Sequence, residues 1–312
     1  MSVLAIGTVA FDEIETPFKS AEQVLGGSAT YITLAARYFC NPVRLVAVVG
    51  GDFPRAYLDT LDDNGVDLDG LVVDPEGKTF AWGGRYHYDL NQRDTLFTHL
   101  NVLESFDPVV PEAYRGSRIV CLGNLDPSIQ RRVLDQMDGP DLVVCDTMNF
   151  WIEHTPASLR ETLKRIDCLI INDSEARELA EEPNLILAAR RIREMGPRIL
   201  VIKKGEHGAM LFLDDVVFVA PAYPLEDIQD PTGAGDAFMG GFAGYLAREG
   251  RIDADALKCA VIYGSAMASF VVERFGPERL LALNEETIND RLQAFQDLSA
   301  IPTIIPLVGI SS

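Results

Sequence analysis

Between residues 117 and 203 short apolar runs rich in β-branched residues alternate with longer segments of helical period, the pattern of β-α-β units around a parallel sheet buried on both faces. The predicted strands are Arg118–Leu122, Leu142–Cys145, Cys168–Ile171 and Ile199–Ile202. In the intervening segment Leu185–Met195, the residues Leu185, Ala188, Ala189, Ile192 and Met195 share one helical face. The expected fold is an α/β three-layer α/β/α sandwich with a mainly parallel central sheet. Each strand ends in polar residues or glycine: Gly123 and Asn124, Asp146 and Asn149, Asn172 and Glu175, then Lys203, Lys204 and Gly205. Strand ends are often polar because chains turn in water. Four such clusters on one sheet edge nevertheless outline a crevice of the kind in which open parallel sheets bind ligands.

The N-terminal third predicts a strand at Val3–Ile6, a helix over about Ser28–Phe39 and a strand at Val43–Val48. Thr79–Leu100 is aromatic-rich, contains Gly83-Gly84 and has no helical period, so it reads as an antiparallel hairpin projecting from the body. With about residues 10–20 it would form a small β lid on a single domain spanning 1–312; the plainer alternative is a hairpin that only covers core. Gly233–Glu249, Asp253–Val272 and Glu285–Asp297 read as helices, with Gly250 a C-cap to the first.

Composition narrows the chemistry. The 312 residues are 47% hydrophobic and 24% charged, as in ordinary globular proteins. A formal charge of −20 argues against nucleic acid as a partner, since phosphate backbones are bound through Lys and Arg. A phosphorylated ligand must then be held by local amides, a few placed cations and Mg2+. Five scattered cysteines suggest free thiols in a reducing cytoplasm. No signal-like start and no unbroken apolar run near ~18 residues suggests secretion or membrane insertion. His87, His99, His154 and His207 are too dispersed for a metal site.

The sharpest local signal is Asp230-Pro231-Thr232-Gly233-Ala234-Gly235-Asp236 before a long helix. Small residues let the amides of Gly233, Ala234 and Gly235 approach an anion, and a helix N-terminus favours negative charge. Asp236 would repel that anion unless it has another task, and a carboxylate there suits a general base for an acceptor hydroxyl. The plainer reading makes Thr232 an N-cap and Asp236 a residue that favours the helix dipole. Similarly, Asn172 and Glu175 suit either the hydrated shell of a hard cation or a helix cap.

The string Asp230–Phe238 resembles the C-terminal signature of the ribokinase family, also called the PfkB carbohydrate kinases. Leu25-Gly26-Gly27, followed by Val48-Val49-Gly50-Gly51-Asp52, resembles its N-terminal signature in order and spacing. The resemblance implies a ribokinase-like fold and ATP-dependent phosphoryl transfer with Mg2+, to a sugar in the first instance and to a nucleoside in the second. It makes Asp236 the catalytic base, with Gly233, Ala234 and Gly235 as anion hole. It makes Asn172 and Glu175 organisers of Mg2+ and its waters, and it brings Lys203, Gly205, Gly208 and Thr232 to the nucleotide. Asp12, Gly26, Gly27 and Thr30 would meet the acceptor. Thr30 stands where the family usually has Asn. Asp146-Thr147-Met148-Asn149-Phe150-Trp151 lacks the Arg of the family's Asp-x-Asn-x-Arg, which speaks against an acidic acceptor. Trp82, Arg85, Tyr86, His87, Tyr88, Asn91 and Arg93 offer the lid stacking and hydrogen bonds. The lid's free edges suit a homodimer.

Other phosphate-binding readings fail on spacing. Gly77-Lys78-Thr79 has Val72 where a Walker loop needs glycine, and Gly7–Asp12 has one glycine where a dinucleotide fold needs more. A catalytically idle, ligand-binding relative is the remaining alternative, and it would be expected to lack Asp236 or the Asn172–Glu175 pair.

Overall fold

The structure, a computed structural model, describes residues 1–300. In chain order its strands are β1 (Val3–Ile6), β2 (Ala10–Glu15), β3 (Ser20–Gly26), β4 (Val43–Gly50), β5 (Val66–Asp74), β6 (Ala81–Tyr86), β7 (Arg93–His99), β8 (Ile119–Leu122), β9 (Leu142–Cys145), β10 (Cys168–Asn172), β11 (Ile199–Lys203), β12 (Ala209–Leu213) and β13 (Val216–Ala220). Nine form one sheet in the order β13-β12-β11-β10-β9-β8-β1-β4-β5. The pairs from β11 through to β5 are parallel, and β12 and β13 add an antiparallel edge.

Alternate residues of the same strands feed two cores. Val3, Ala5, Cys121, Val144, Ile170 and Val201 pack with Phe238, Phe242, Leu246 and Leu257 on one face. Leu4, Ile6, Leu122, Val143, Ile171 and Ile202 pack with Ile129, Val133, Leu159 and Ile192 on the other. Burial on both faces is why these strands read as continuous apolar runs, and it makes the three layers.

The C-terminal helices run Ala234–Glu249, Ala254–Val271 and Glu285–Leu298, close to their predicted limits. The first helix, Ser28–Ala36, stops short of Phe39 because Phe39 N bonds Ala36 O and tightens the last turn. Ala254–Val271 has the length and mean hydropathy, 1.2, of a membrane span. It is interrupted by Asp255 and Lys258 and packs against Ala234–Glu249, so its apolarity serves the core. All five cysteines are free.

The remaining strands form a second sheet in the order β3-β2-β6-β7. The predicted hairpin is β6–β7, and the N-terminal contribution extends to Gly26. Asp52 fastens this sheet to the end of β4: its carboxylate accepts from the Thr79 amide at 2.8 Å and hydroxyl at 2.7 Å, while the Gly50 amide donates to that hydroxyl at 3.0 Å.

The helix that carries the glycine-rich start is set by close packing. Gly240 faces the Ile32 carbonyl, and a β-carbon there would also come within 2.8 Å of the Ala35 methyl. Gly240→Val should therefore push the two helices apart and cost about 1–3 kcal/mol in denaturant unfolding.

Candidate active site

The carboxyl ends of β9, β10 and β11 and the start of Ala234–Glu249 meet beneath the small sheet. Lys203 closes β11, and its ammonium lies 3.8 Å from the Asp146 carboxylate just beyond β9. The same ammonium rests on Gly235, so near that a β-carbon there would stand 2.6 Å from it.

Gly233, at φ 79°, is the N-cap of the helix in the left-handed region, with the Tyr31 ring where its β-carbon would be. Thr232 is thus not the cap. Its hydroxyl lies 3.0 Å from that of Tyr86 on the small sheet, and its amide donates to Asp230 at 2.8 Å. Ala234 departs from the expected anion hole, because its amide closes the turn onto the Pro231 carbonyl at 3.2 Å. Among the described residues the amides of Gly233 and Gly235 have no hydrogen-bond acceptor in the protein, while the Asp236 amide turns toward its own carboxylate. The two free amides are the orphan donors of a helix start, an arrangement suited to an anion, and are called the cradle below.

Asp230 is fully buried and also accepts from the Gly276 amide at 3.1 Å, which joins the cradle to the 276 turn. Burial raises its pKa to about 6, against the pull of the Thr232 and Gly276 hydrogen bonds. Asp236 is half-buried, and burial with the nearby Asp146 charge lifts it to about 7, while Lys203 and Arg93 oppose the rise. Asp12, 5% exposed, rises to about 7 through burial, opposed by the Gly27 amide and reinforced by Asp230 and Asp236. Its carboxylate lies against Gly26. Asp236 therefore lies within electrostatic reach of Asp12 and of the Asp146–Lys203 pair.

Asn172 and Glu175 form a capping box: Glu175 N donates to Asn172 Oδ1 and Asn172 N donates to Glu175 Oε2, each at 2.8 Å. The plainer reading of the pair holds, and each keeps one further polar atom for a ligand. Glu175 is raised to about 7 by burial and by Asp146, against Lys203. Gly205 and Gly208 bracket a turn in which Lys204 N bonds Gly208 O at 2.8 Å, and Asn91 from the tip of the small sheet rests on Gly205.

Thr30 lies in the first turn of Ser28–Ala36. Its hydroxyl donates to the Gly26 carbonyl at 2.7 Å, the usual i−4 bond of a helical threonine. The neighbouring Tyr31 faces the cradle instead, 1% exposed, with its hydroxyl unpartnered among the described residues and its pKa driven up by burial and by Asp12, Asp230 and Asp236. Asp146, Asp230, Tyr31 and the Tyr86–Thr232 contact are additions to the predicted set. Asp146 and Asp230 are visible as acids at a strand end and a helix start, and Tyr86 as one of the lid residues offering hydrogen bonds; nothing in the local sequence distinguishes Tyr31 from a core aromatic. Among the described residues no group of three or more His, Cys, Asp or Glu side chains could enclose a metal.

Residues 130–282 match the pfkB family carbohydrate kinase model. The chain is 29% identical over 251 residues to the cytidine kinase of Thermococcus kodakarensis, covering 78% of this chain and 88% of that one. It is 27% identical over 298 residues to a nucleoside kinase of Methanothermobacter thermautotrophicus, covering 88% and 91%. The crystal structure of the Methanocaldococcus jannaschii nucleoside kinase, an archaeal member of the ribokinase family, superposes with a TM-score of 0.75 at 21% identity, over 94% of this chain and 98% of that one. The cradle, the acid at its first turn and these likenesses over most of the chain agree: it carries a pfkB family carbohydrate kinase domain on the ribokinase fold and is an ATP-dependent small-molecule kinase.

Proposed function

We propose that the chain moves the γ-phosphoryl group of ATP to a hydroxyl of a sugar ring, with Asp236 as general base. The observation that carries this is a carboxylate in the first turn of a helix whose free amides form the cradle, where burial raises its pKa to about 7. A base of that pKa is matched to neutral operating conditions. The acceptor hydroxyl passes its proton to Asp236, its oxygen bonds the γ-phosphorus, and the bond from that phosphorus to ADP breaks.

Gly233 and Gly235 meet the phosphates through their amides, Lys203 adds a cation, and the Gly205–Gly208 turn receives the nucleotide. The Asn172 amide group and the second Glu175 oxygen suit waters around Mg2+, which keeps much of its hydration when it is bound with phosphates. Bound there, Mg2+ neutralises charge on the phosphates.

Asp12 grips acceptor hydroxyls. A specific observation favours a sugar ring carried by a nucleoside: Trp82 stands beside Asp12 in the β2–β6 register, its indole lies along Gly84, and the cytidine and nucleoside kinases are among the relatives. A flat aromatic surface one strand from the hydroxyl-binding acid suits a base as well as a sugar face. The free sugar remains the reading that the family description supports. The reducing cytoplasm, and pairing of two copies along the exposed edge strand β7, belong to the same proposal.

The test is ATP consumption with Mg2+ over pyrimidine and purine nucleosides, pentoses, hexoses and deoxy sugars. Turnover of a nucleoside at a kcat/KM at least ~10-fold above any free sugar is the expected result. The reverse order would return the acceptor to the sugars, and silence on every acceptor would overturn the proposal.

A further inference from the structure

Arg93 opens β7 and stands directly across from Tyr86 in the β6–β7 pair. Opposed residues of an antiparallel pair point to the same face. Tyr86 is 5% exposed and reaches down to Thr232 of the cradle, hydroxyl to hydroxyl at 3.0 Å. The Arg93 guanidinium carbon lies 5.4 Å from the centre of the Trp82 ring, so the side chain runs along the face that looks onto the site. Two residues earlier, Asn91 rests on Gly205 at the nucleotide turn. Contacts on both sides of Arg93 therefore seat the small sheet on the main body.

The surroundings of the guanidinium are unusual for an arginine serving the fold. Among the described residues no carboxylate oxygen lies within 4.0 Å of it. Yet its charge lowers the pKa of Asp12, Asp146, Glu175 and Asp236, the acids of both halves of the site. A structural arginine would be closed onto one acid with paired hydrogen bonds. This one is exposed and pairs with none of the four; its neighbours are Trp82 and Tyr86, and through Tyr86 it is joined to Thr232 at the helix start.

We propose that Arg93 is a catalytic residue that meets the transferring phosphoryl group from the small sheet, while Lys203 meets it from the main sheet. The inference rests on the reading of Asp236 as base. During transfer the bond between acceptor oxygen and γ-phosphorus forms, the bond to the ADP oxygen breaks and the hydroxyl proton goes to Asp236. Arg93 exchanges no proton; its N–H groups stabilise charge on the equatorial oxygens. Arginine suits this place because its planar fork binds phosphoryl oxygens in pairs and stays charged.

Arg93→Gln and Arg93→Lys in the full chain test this. With Mg-ATP and the preferred acceptor, Arg93→Gln should lower kcat by ~100-fold or more, with both KM values within ~3-fold, and Arg93→Lys should recover part of the loss. Binding gives a second readout. Fluorescence of the two tryptophans, Trp82 and Trp151, follows titration with Mg-ADP and acceptor, with and without aluminium fluoride as a mimic of the transferring group. The wild-type chain should bind tighter with the fluoride, and Arg93→Gln should lose that gain while keeping its affinity for ADP and its unfolding temperature.

An unchanged kcat would overturn the proposal. So would a rise confined to the acceptor KM, which would make Arg93 a reader of the acceptor, or a fall in kcat with the fluoride gain intact, which would make its role structural. Normal turnover in Asp236→Asn beside a dead Arg93→Gln would remove the base assignment and leave Arg93 standing. The opposite pattern would overturn Arg93 alone.

Discussion

Asp236→Asn lowers kcat by about 10²–10⁴-fold and leaves ATP affinity within a few-fold, because the amide keeps the shape of the side chain and loses only the proton acceptor. The same substitution separates activity from stability. The folded-state pKa of Asp236, about 7, lies above the usual carboxylate value of 3.8, so the folded chain holds this proton more tightly than the unfolded chain. The resulting contribution to stability is fully present below the unfolded pKa and is lost as pH rises through 7. Asp12, Glu175 and Asp230 carry the same sign. The ligand-free chain should therefore melt at a lower temperature at pH 8 than at pH 6. Asp236→Asn, which cannot ionise, should show a shallower slope and melt above the wild type at pH 8. Calorimetric scans across this range check it, and a variant less stable than the wild type at pH 8 would contradict the electrostatic account. In the wild type, kcat/KM should rise with pH through about 7 as the base loses its proton.

Lys203→Met is the second large effect. Lys203 is the cation nearest the cradle, and a methionine of similar length fills its space without charge. The loss of one charged donor on the phosphates should reduce kcat/KM about 10²–10³-fold, with weaker ATP binding. The pH profile carries the sharper signature. Lys203 holds down the pKa of Asp146, Glu175 and Asp236, so its removal lets all three rise and should move the acid limb of kcat/KM above 7. Asp146, 8% exposed, loses its ion-pair partner, and its pKa, already raised by burial, should rise further. An acid limb that stays in place would show that the ammonium at 3.8 Å does not govern the carboxylates electrostatically.

Much of this arrangement is a local property of the chain and so is legible along it. Apolar runs of four or five residues predict buried strands, and β8, β9, β10 and β11 begin and end within a residue of that pattern. The glycine-rich string before a long helix marks a helix start with free amides, and Gly233 with its left-handed backbone provides it. The aromatic segment at 79–100, lacking a helical period, is the hairpin β6–β7.

What the tertiary structure alone decided is which way side chains point and what they meet. Successive helix positions differ by about 100°. A pattern that places the first turn of Ser28–Ala36 near the acceptor therefore cannot say that Thr30 bonds its own backbone while Tyr31 faces Gly233. The Asn172–Glu175 pair was equally readable as cap or cation site until its reciprocal bonds were formed. The raised pKa values of Asp12, Asp146, Glu175, Asp230 and Asp236 come first from burial, which depends on chain segments more than two hundred residues apart closing over one space. Tyr86 on Thr232 and Arg93 above the carboxylates are contacts of the same long-range kind. The sequence by itself determined the layers, the cradle and the acid at its first turn, through periodicity and backbone freedom. Their assembly into one charged centre under the small sheet was decided by packing, because electrostatics and orientation depend on neighbours in space.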